Sequence, residues 1–213
     1  MRYVIGCGRM AAVGIMILVI LFILLVLFPL VGRKGRGRCV RRVCRVLMRV
    51  LGVRMTVRGA VPVAQSAECG VNGEGPGYMV CANHVSFIDI FILDAVLPCR
   101  FVAKKEIASW PVFGFIARGT GTLFIDRSRK RAVLEIADAM AGAINEGTNV
   151  LFFPEGTTGN GLELLPFHPN LFEAAVRSGA QILPVTLRYT LDGKPSGLVS
   201  SSESSSRRDS ASR

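Results

Sequence analysis

The stretch Asn83–Asp89 (NHVSFID) holds the residues best suited to proton transfer: His84 and, five positions later, Asp89. Imidazole titrates near neutral pH, so a histidine oriented by a carboxylate can take a proton from a hydroxyl nucleophile. Helical residues five apart point ~140° away from each other, so we expect His84 to lie before the helix that carries Asp89. The same spacing also fits a plain helix start, with Asp89 in a capping box opened by Ser86.

Polar residues also follow other predicted strands. Glu155, Gly156 and Thr157 come after an apolar strand that breaks at a proline, and α/β proteins commonly place their sites at such strand ends. Arg127 and Lys105 follow two further strands, and such cations suit an anion such as phosphate. Each residue alone also fits a turn or an exposed surface position. Together they predict a site that holds an anionic substrate and deprotonates a hydroxyl.

Short apolar strands alternate with helical patterns from residue 78 onward. Strands are predicted at 78–82, 100–103, 122–125, 149–153 and 181–187. Helices are predicted after Ser86 and at 110–117, 133–144 and 171–176. This alternation predicts an α/β fold, with a single mixed-sheet domain over residues 57–190.

The N-terminal region is first apolar and then basic. Residues 10–31 are an uncharged run of 22 residues, about 33 Å long as a helix, which predicts a transmembrane helix rather than a cleaved signal peptide. Arginines crowd behind the run, so the positive-inside rule predicts a single-pass protein whose catalytic domain faces the cytoplasm. Residues 32–56 form a basic amphipathic segment, and its pattern predicts a helix from Cys39 to Val53. Such a helix suits either the lipid headgroup layer or a packed position with one solvated face.

The charge is concentrated at the N terminus. The net charge is +11, and 12 of the 26 Lys and Arg residues lie in residues 1–60, which contain no acidic residue. The rest of the chain contains the other 14 basic residues and all 15 acidic residues. This local basicity beside an apolar run favours anionic membrane lipids over nucleic acid as partners. The six cysteines form no CxxC pair, which predicts reduced thiols rather than zinc and leaves disulfides open. The serine-rich residues 191–213 predict a disordered, low-complexity tail.

In four blocks the chain resembles the membrane glycerolipid acyltransferases typified by the 1-acyl-glycerol-3-phosphate acyltransferases. The blocks are residues 83–89, 121–127, 153–157 and 182–185. The resemblance implies transfer of an acyl chain from acyl-CoA or acyl carrier protein to 1-acyl-glycerol-3-phosphate, forming phosphatidic acid without metal or further cofactor. It implies that His84 is the general base and that Asp89 orients it. It further implies that the acceptor is bound by Lys105, Arg127, Glu155, Gly156 and Thr157.

Two features depart from the family pattern. Thr158 stands where the common block has an arginine (FPEGTR), which removes one phosphate-binding charge and opens other acceptors, such as lyso-ornithine lipid or another lysophospholipid. Family members also usually continue well past the fourth block. Two other functions stay open: a membrane anchor with a non-catalytic body, and a thioester or lipid hydrolase that uses water as the acceptor.

Overall fold

The computed structural model of the chain describes residues 14–61, 77–126, 130–191 and 194–195. Arg127 and nearly all of the predicted loop at 65–77 lie outside these residues. The predicted tail at 191–213 is described only at residues 191, 194 and 195, so its disorder stays a prediction.

The N-terminal helical segment comprises residues 14–30. Residues 14–22 are α-helical, Ile23–Leu27 form a π-helical turn, and Phe28–Leu30 form a last short helix. In the part of the chain described, no helix combines the length and the apolarity that a bilayer crossing requires. Residues 10–13 of the predicted transmembrane run lie outside the described residues, and the span stays a prediction.

Helix α1, Arg33–Leu51, confirms that the basic segment is helical. It ends at Gly52, which adopts the left-handed φ of 76° that glycine tolerates. Leu47 and Met48 on its apolar face are buried against helix α2, Ile88–Val96. Helix α1 is therefore packed onto the body of the protein through its apolar face.

The basic face of α1 is exposed at Arg38, Arg42 and Arg49. Arg45, on the same face, donates a hydrogen bond from Nε to the carbonyl oxygen of Ala95 at 2.8 Å. This bond satisfies one of the last carbonyls of α2, which have no partner within that helix. One of the predicted lipid-facing arginines thus has a structural contact, while the headgroup contact of the others stays a prediction.

Five strands form the main sheet. In chain order they are β1 Met79–Ala82, β2 Arg100–Lys104, β3 Leu123–Ile125, β4 Val150–Phe152 and β5 Ile182–Val185. Their spatial order is β3-β2-β4-β1-β5, and the mixed sheet predicted from the sequence is parallel in every pair described. Helical crossovers return the chain to the same end before each new strand, which makes the strands parallel. The antiparallel pairing described is a separate ribbon of β6, Thr190–Leu191, and β7, Lys194–Pro195.

The connection between β2 and β3 differs from the sequence-based expectation. Instead of one helix at 110–117, the chain forms a 3₁₀ turn at Lys105–Ser109 and then helix α3, Phe113–Gly119. Pro111 disfavours helical backbone at Trp110, the residue before it. Val112 then takes a positive φ of 61°, which redirects the chain into α3.

Two further helices complete the layers around the sheet. They are α4, Lys130–Asn145, and α5, Glu173–Ser178, the latter preceded by a 3₁₀ turn where the sequence predicts one helix at 171–176. Strand residues on one face, including Phe152, pack against α4 and α5. Strand residues on the other face, around Val80 and Leu151, pack against α2. Helix α1 covers the outer side of α2, so the order of layers is α4 and α5, sheet, α2, α1.

The carboxyl ends of the parallel strands gather the candidate residues at one edge of the sheet. β1 leads to His84, β4 leads to Glu155, and β5 continues into residues 186–189, which we call the β5 extension. Helix α2 begins at Ile88, so the prediction that His84 precedes the helix is confirmed. The edge is the one at which open α/β sheets bind ligands.

Candidate active site

His84 and Asp89 contact each other directly across the turn between β1 and α2. His84 Nδ1 lies 2.8 Å from Asp89 Oδ2. The Asp89 side chain is fully buried, whereas 18% of the His84 side chain is exposed. A carboxylate accepts the proton on Nδ1, which leaves Nε2 unprotonated and able to accept another proton. The arrangement is that of an oriented general base.

Asp89 accepts hydrogen bonds from four donors. Besides His84, Oδ2 accepts from the backbone N–H groups of Val85 at 2.7 Å and Ser86 at 2.9 Å. Oδ1 accepts from the hydroxyl of Tyr189, 100 residues further along the chain. The N-cap of α2 is Phe87, which makes no side-chain cap bond, so the predicted capping box with Ser86 as the N-cap is wrong. Asp89 instead holds the turn before α2 through the N–H groups of Val85 and Ser86, and it contacts His84 with the same carboxylate.

Phe153 fixes the His84 ring from its face. The two ring centroids lie 3.9 Å apart, and the ring planes are inclined by 11°. The stacked phenyl ring restricts the tilt of the imidazole, while the bond from Nδ1 restricts its rotation. The orientation of Nε2 is thus set by contacts from two sides.

Glu155 binds the backbone with both of its carboxylate oxygens. Oε1 accepts the N–H of His84 at 2.7 Å, and Oε2 accepts the N–H of Leu165 at 2.9 Å. The residue is buried, with 4% of its surface exposed. Glu155 therefore positions His84 and closes the loop 154–165, and the acceptor-binding role that the resemblance implies for it stays a prediction.

The loop 154–165 wraps around the turn that carries His84. The N–H of Gly159 donates to the carbonyl oxygen of His84 at 2.7 Å. Gly161 has a φ of 77°, and a Cβ there would lie 2.8 Å from Cγ1 of Val85. Gly156 also adopts a left-handed φ, of 71°. Glycine at these positions lets the loop approach the turn closely.

Asn83 ties the end of β1 to the β5 extension. Its Nδ2 donates to the carbonyl oxygen of Leu187 at 3.0 Å, and its Oδ1 accepts the N–H of Leu187 at 2.6 Å. This pair of bonds replaces one step of the strand pairing beyond the end of β1. It fixes the backbone two residues before Tyr189.

An apolar cavity of about 680 Å³ adjoins His84. Its lining combines His84, Gly156, Thr157 and Thr158 with side chains from the N-terminal helical segment, α1, α2, β2 and α3. The apolar lining includes Ile20, Phe28, Val43, Phe91, Phe101 and Ile116. A cavity of this size and composition suits a hydrocarbon chain.

Asp94 on α2 and Cys44 on α1 line the same cavity. Burial raises the pKa of Asp94 to about 8, and the N–H of Cys99, which donates to Oδ1 at 3.1 Å, offsets only part of that shift. Burial also raises the pKa of the Cys44 thiol. Both groups are therefore mainly uncharged at pH 7 and compatible with an apolar ligand.

Lys105, one of the two predicted cationic residues, pairs with an acidic side chain. Nζ of Lys105 lies 3.7 Å from Oδ2 of Asp126 and is largely exposed to solvent. Its neighbour Lys104 lines the cavity. Arg127 lies outside the described residues, so the structure leaves its predicted role untested.

A family model described as Acyltransferase matches residues 44–188. The match includes His84, Asp89, Glu155 and all five strands of the sheet. The chain belongs to the Acyltransferase family. Among solved structures, the 1-acyl-sn-glycerophosphate (LPA) acyltransferase PlsC from Thermotoga maritima has a similar fold, with a TM-score of 0.56 and 22% identity over 83% of this chain and 74% of that one.

Two curated relatives of this acyltransferase chain carry different names. It is 41% identical over 157 residues to the 1-acyl-sn-glycerol-3-phosphate acyltransferase of Neisseria meningitidis, covering 73% of this chain and 57% of that protein. It is 41% identical over 152 residues to the lyso-ornithine lipid O-acyltransferase of Rhodobacter capsulatus, covering 70% of this chain and 50% of that one. The chain thus spans about half to three fifths of the length of these relatives.

Each carboxylate oxygen of Glu155 accepts one backbone N–H, so replacing one of these oxygens should destabilise the fold. In Glu155→Gln the amide NH₂ must face one of the two backbone N–H groups, which leaves that buried donor without an acceptor. We expect the free energy of unfolding to fall by about 1–3 kcal/mol. Denaturant titration of the detergent-solubilised protein measures the change. Glu163→Gln, at an exposed position of the same loop, is the control, and an equal effect of the two substitutions would contradict the role of Glu155.

Proposed function

We propose that this protein transfers an acyl chain from a thioester donor, acyl-CoA or acyl carrier protein, to the hydroxyl group of a lyso-lipid. The observation that carries the proposal is the His84–Asp89 pair beside an apolar cavity. The pair supplies a base for the hydroxyl, and the cavity offers room for a hydrocarbon chain. Membership of the Acyltransferase family supports the same reaction.

The proposed reaction is a direct transfer. His84 Nε2 removes the proton of the acceptor hydroxyl while that oxygen attacks the thioester carbonyl carbon. The carbonyl oxygen then carries negative charge, which hydrogen-bond donors at the site would stabilise. The C–S bond breaks as the carbonyl re-forms, and the protonated His84 returns the proton to the leaving thiolate. The products are the acylated lipid and the free thiol, and His84 is again neutral.

The acceptor is proposed to be 1-acyl-glycerol-3-phosphate, so that phosphatidic acid forms. The relative in Neisseria meningitidis carries that activity in its name. The alternative is lyso-ornithine lipid, after the name of the relative in Rhodobacter capsulatus, because Thr158 lacks the charge of an arginine. In either case we propose that Lys105, Arg127, Gly156 and Thr157 contact the acceptor, while Glu155 holds the turn that presents His84.

We also propose that the protein is attached to a membrane through residues 10–31 and the basic face of α1, with the site on the cytoplasmic side. Several large apolar side chains of the N-terminal helical segment are exposed, among them Ile15, Leu18, Phe22, Leu25 and Leu30. An exposed apolar surface of this kind marks a lipid or protein contact. The arginines on α1 add attraction to anionic headgroups.

Substitution of His84 tests the catalytic proposal. We expect His84→Ala to lower the transfer of labelled acyl groups to lysophosphatidate or lyso-ornithine lipid by on the order of 10²–10⁴-fold, since the base is lost. The control is His168→Ala, which removes the other histidine of the chain, at an exposed position. Full transfer by His84→Ala membranes would overturn the mechanism, and release of free fatty acid as the main product would indicate a hydrolase instead.

The acceptor is tested with a panel of lyso-lipids and the variant Thr158→Arg. An arginine at this position of the cavity wall can bind a phosphate through two hydrogen bonds. We expect kcat/KM for lysophosphatidate to rise about fivefold to tenfold relative to lyso-ornithine lipid, a gain of about 1 kcal/mol. Thr158→Gln adds length without charge and serves as the control. An equal change for both acceptors would place residue 158 outside the headgroup site.

Fractionation tests the membrane attachment. We expect the full chain to stay in the membrane pellet after an alkaline carbonate wash and to dissolve only with detergent, because the apolar surface then transfers to micelles. Release by high salt alone would indicate attachment through the arginines of α1 without insertion. Recovery in the soluble fraction before any wash would refute the attachment.

A further inference from the structure

Tyr189 completes the set of donors around Asp89 and comes from a part of the chain that no catalytic motif includes. Its hydroxyl donates to Oδ1, the oxygen of Asp89 that His84 does not contact. Burial, together with the bond to Asp89, raises the pKa of Tyr189. The hydroxyl therefore keeps its proton and acts as a donor throughout the physiological pH range.

The backbone directs Tyr189 toward Asp89. Along β5 and its extension, the residues alternate between exposed and half-buried, and the half-buried set is Leu183, Val185, Leu187 and Tyr189. This period of two places Tyr189 on the same side as the apolar residues that pack against the sheet core. The paired bonds between Asn83 and Leu187 fix the extension just before Tyr189. The contact between Tyr189 and Asp89 is therefore built into the strand register.

We propose that Tyr189 is a positioning residue that tunes the His84–Asp89 base. A donor on Oδ1 draws negative charge away from the oxygen that faces His84. The carboxylate then stabilises the protonated imidazole less than it would without the hydrogen bond from Tyr189. Tyr189 thereby weakens the preference of the carboxylate for a protonated His84, and it fixes the oxygen of Asp89 that His84 does not contact. This inference rests on the proposed acyl transfer.

Other ionisable groups near the pair come from several elements. In the described part of the chain, Glu155 binds the backbone of His84, and Lys104, Glu106 and Asp94 line the same cavity as His84. None of these groups changes when the Tyr189 hydroxyl is removed. Tyr189 itself is not among the residues that line the cavity, so its removal leaves the substrate contacts intact. A change in pH dependence can thus be traced to the hydroxyl.

The test is the pH profile of acyl transfer by wild type and Tyr189→Phe in the full chain. Loss of the donor stabilises the protonated imidazole, so the acidic limb of kcat should move to higher pH, by about half to one unit. At the plateau, kcat should fall about threefold to tenfold because the carboxylate is less well oriented, while KM for both substrates stays within about twofold. A purely structural role would lower the rate equally at every pH.

Tyr78→Phe is the matched control, because Tyr78 is also half-buried but precedes β1 at the opposite edge of the sheet. The acidic limb of the pH profile of kcat for Tyr78→Phe should coincide with that of wild type. A second measurement is independent of turnover: the chain has two histidines, and ¹⁵N-histidine NMR in detergent follows the titration midpoint of His84, assigned with His84→Ala. An upward shift in Tyr189→Phe supports the role.

The outcomes separate the inference from the proposed function. If wild type is active but wild type and Tyr189→Phe have the same acidic limb of kcat and the same NMR midpoint of His84, the role of Tyr189 is overturned. The proposed acyl transfer is then unaffected. An inactive wild type would overturn the proposed function, and with it the catalytic meaning of Tyr189, whatever the NMR midpoint.

Discussion

The buried carboxylate of Asp89 is the group around which the site is built. Removing a carboxylate from water is costly unless hydrogen bonds replace the lost hydration. Here the replacement comes from two backbone N–H groups, one imidazole and one phenol. To supply them, the chain must turn tightly after β1, start α2 at a fixed place and bring the β5 extension alongside. One ionised group thus fixes the relative positions of three elements.

Glu155, which follows the neighbouring strand β4, is likewise a buried carboxylate that accepts backbone hydrogen bonds. Both of its oxygens are used to hold main-chain N–H groups. Since one of these belongs to His84, the two acidic residues both hold the turn that carries His84. The loop 154–165 is then closed onto the turn by the bond from Gly159. The rigidity of His84 therefore comes from acidic side chains that act on the backbone and not from contacts to its ring alone.

Local spacing predicted the parts of this arrangement that are local. The five-residue separation of His84 and Asp89 correctly placed the histidine ahead of α2. The capping box expected from Ser86 is wrong, because the N-cap of α2 is Phe87. Apolar runs located all five strands to within about two residues at each end. Spacing gave no sign of Tyr189, because a single tyrosine in an extended segment carries no pattern and its partner is 100 residues away. The start of α3 at Phe113 depends on the positive φ of Val112, which no local pattern predicted. The bond from the Leu165 N–H to Glu155 could not be predicted either, because it depends on the path of the loop 154–165.

The cavity connects the N-terminal region to the chemistry. Ile20 and Phe28 of the N-terminal helical segment and Val43 of α1 form part of the same wall as Phe91 and Phe101 of the sheet domain. The part of the chain proposed to contact lipid is therefore also a wall of the proposed acyl site, and it cannot be regarded as a detachable anchor. Without it, the apolar lining beside His84 would face water, and a hydrocarbon chain would gain less from entering because less apolar surface would be buried. Under the proposed membrane attachment, a lipid would pass from the bilayer to the site with its chain in apolar surroundings, and only its polar end would have to meet His84.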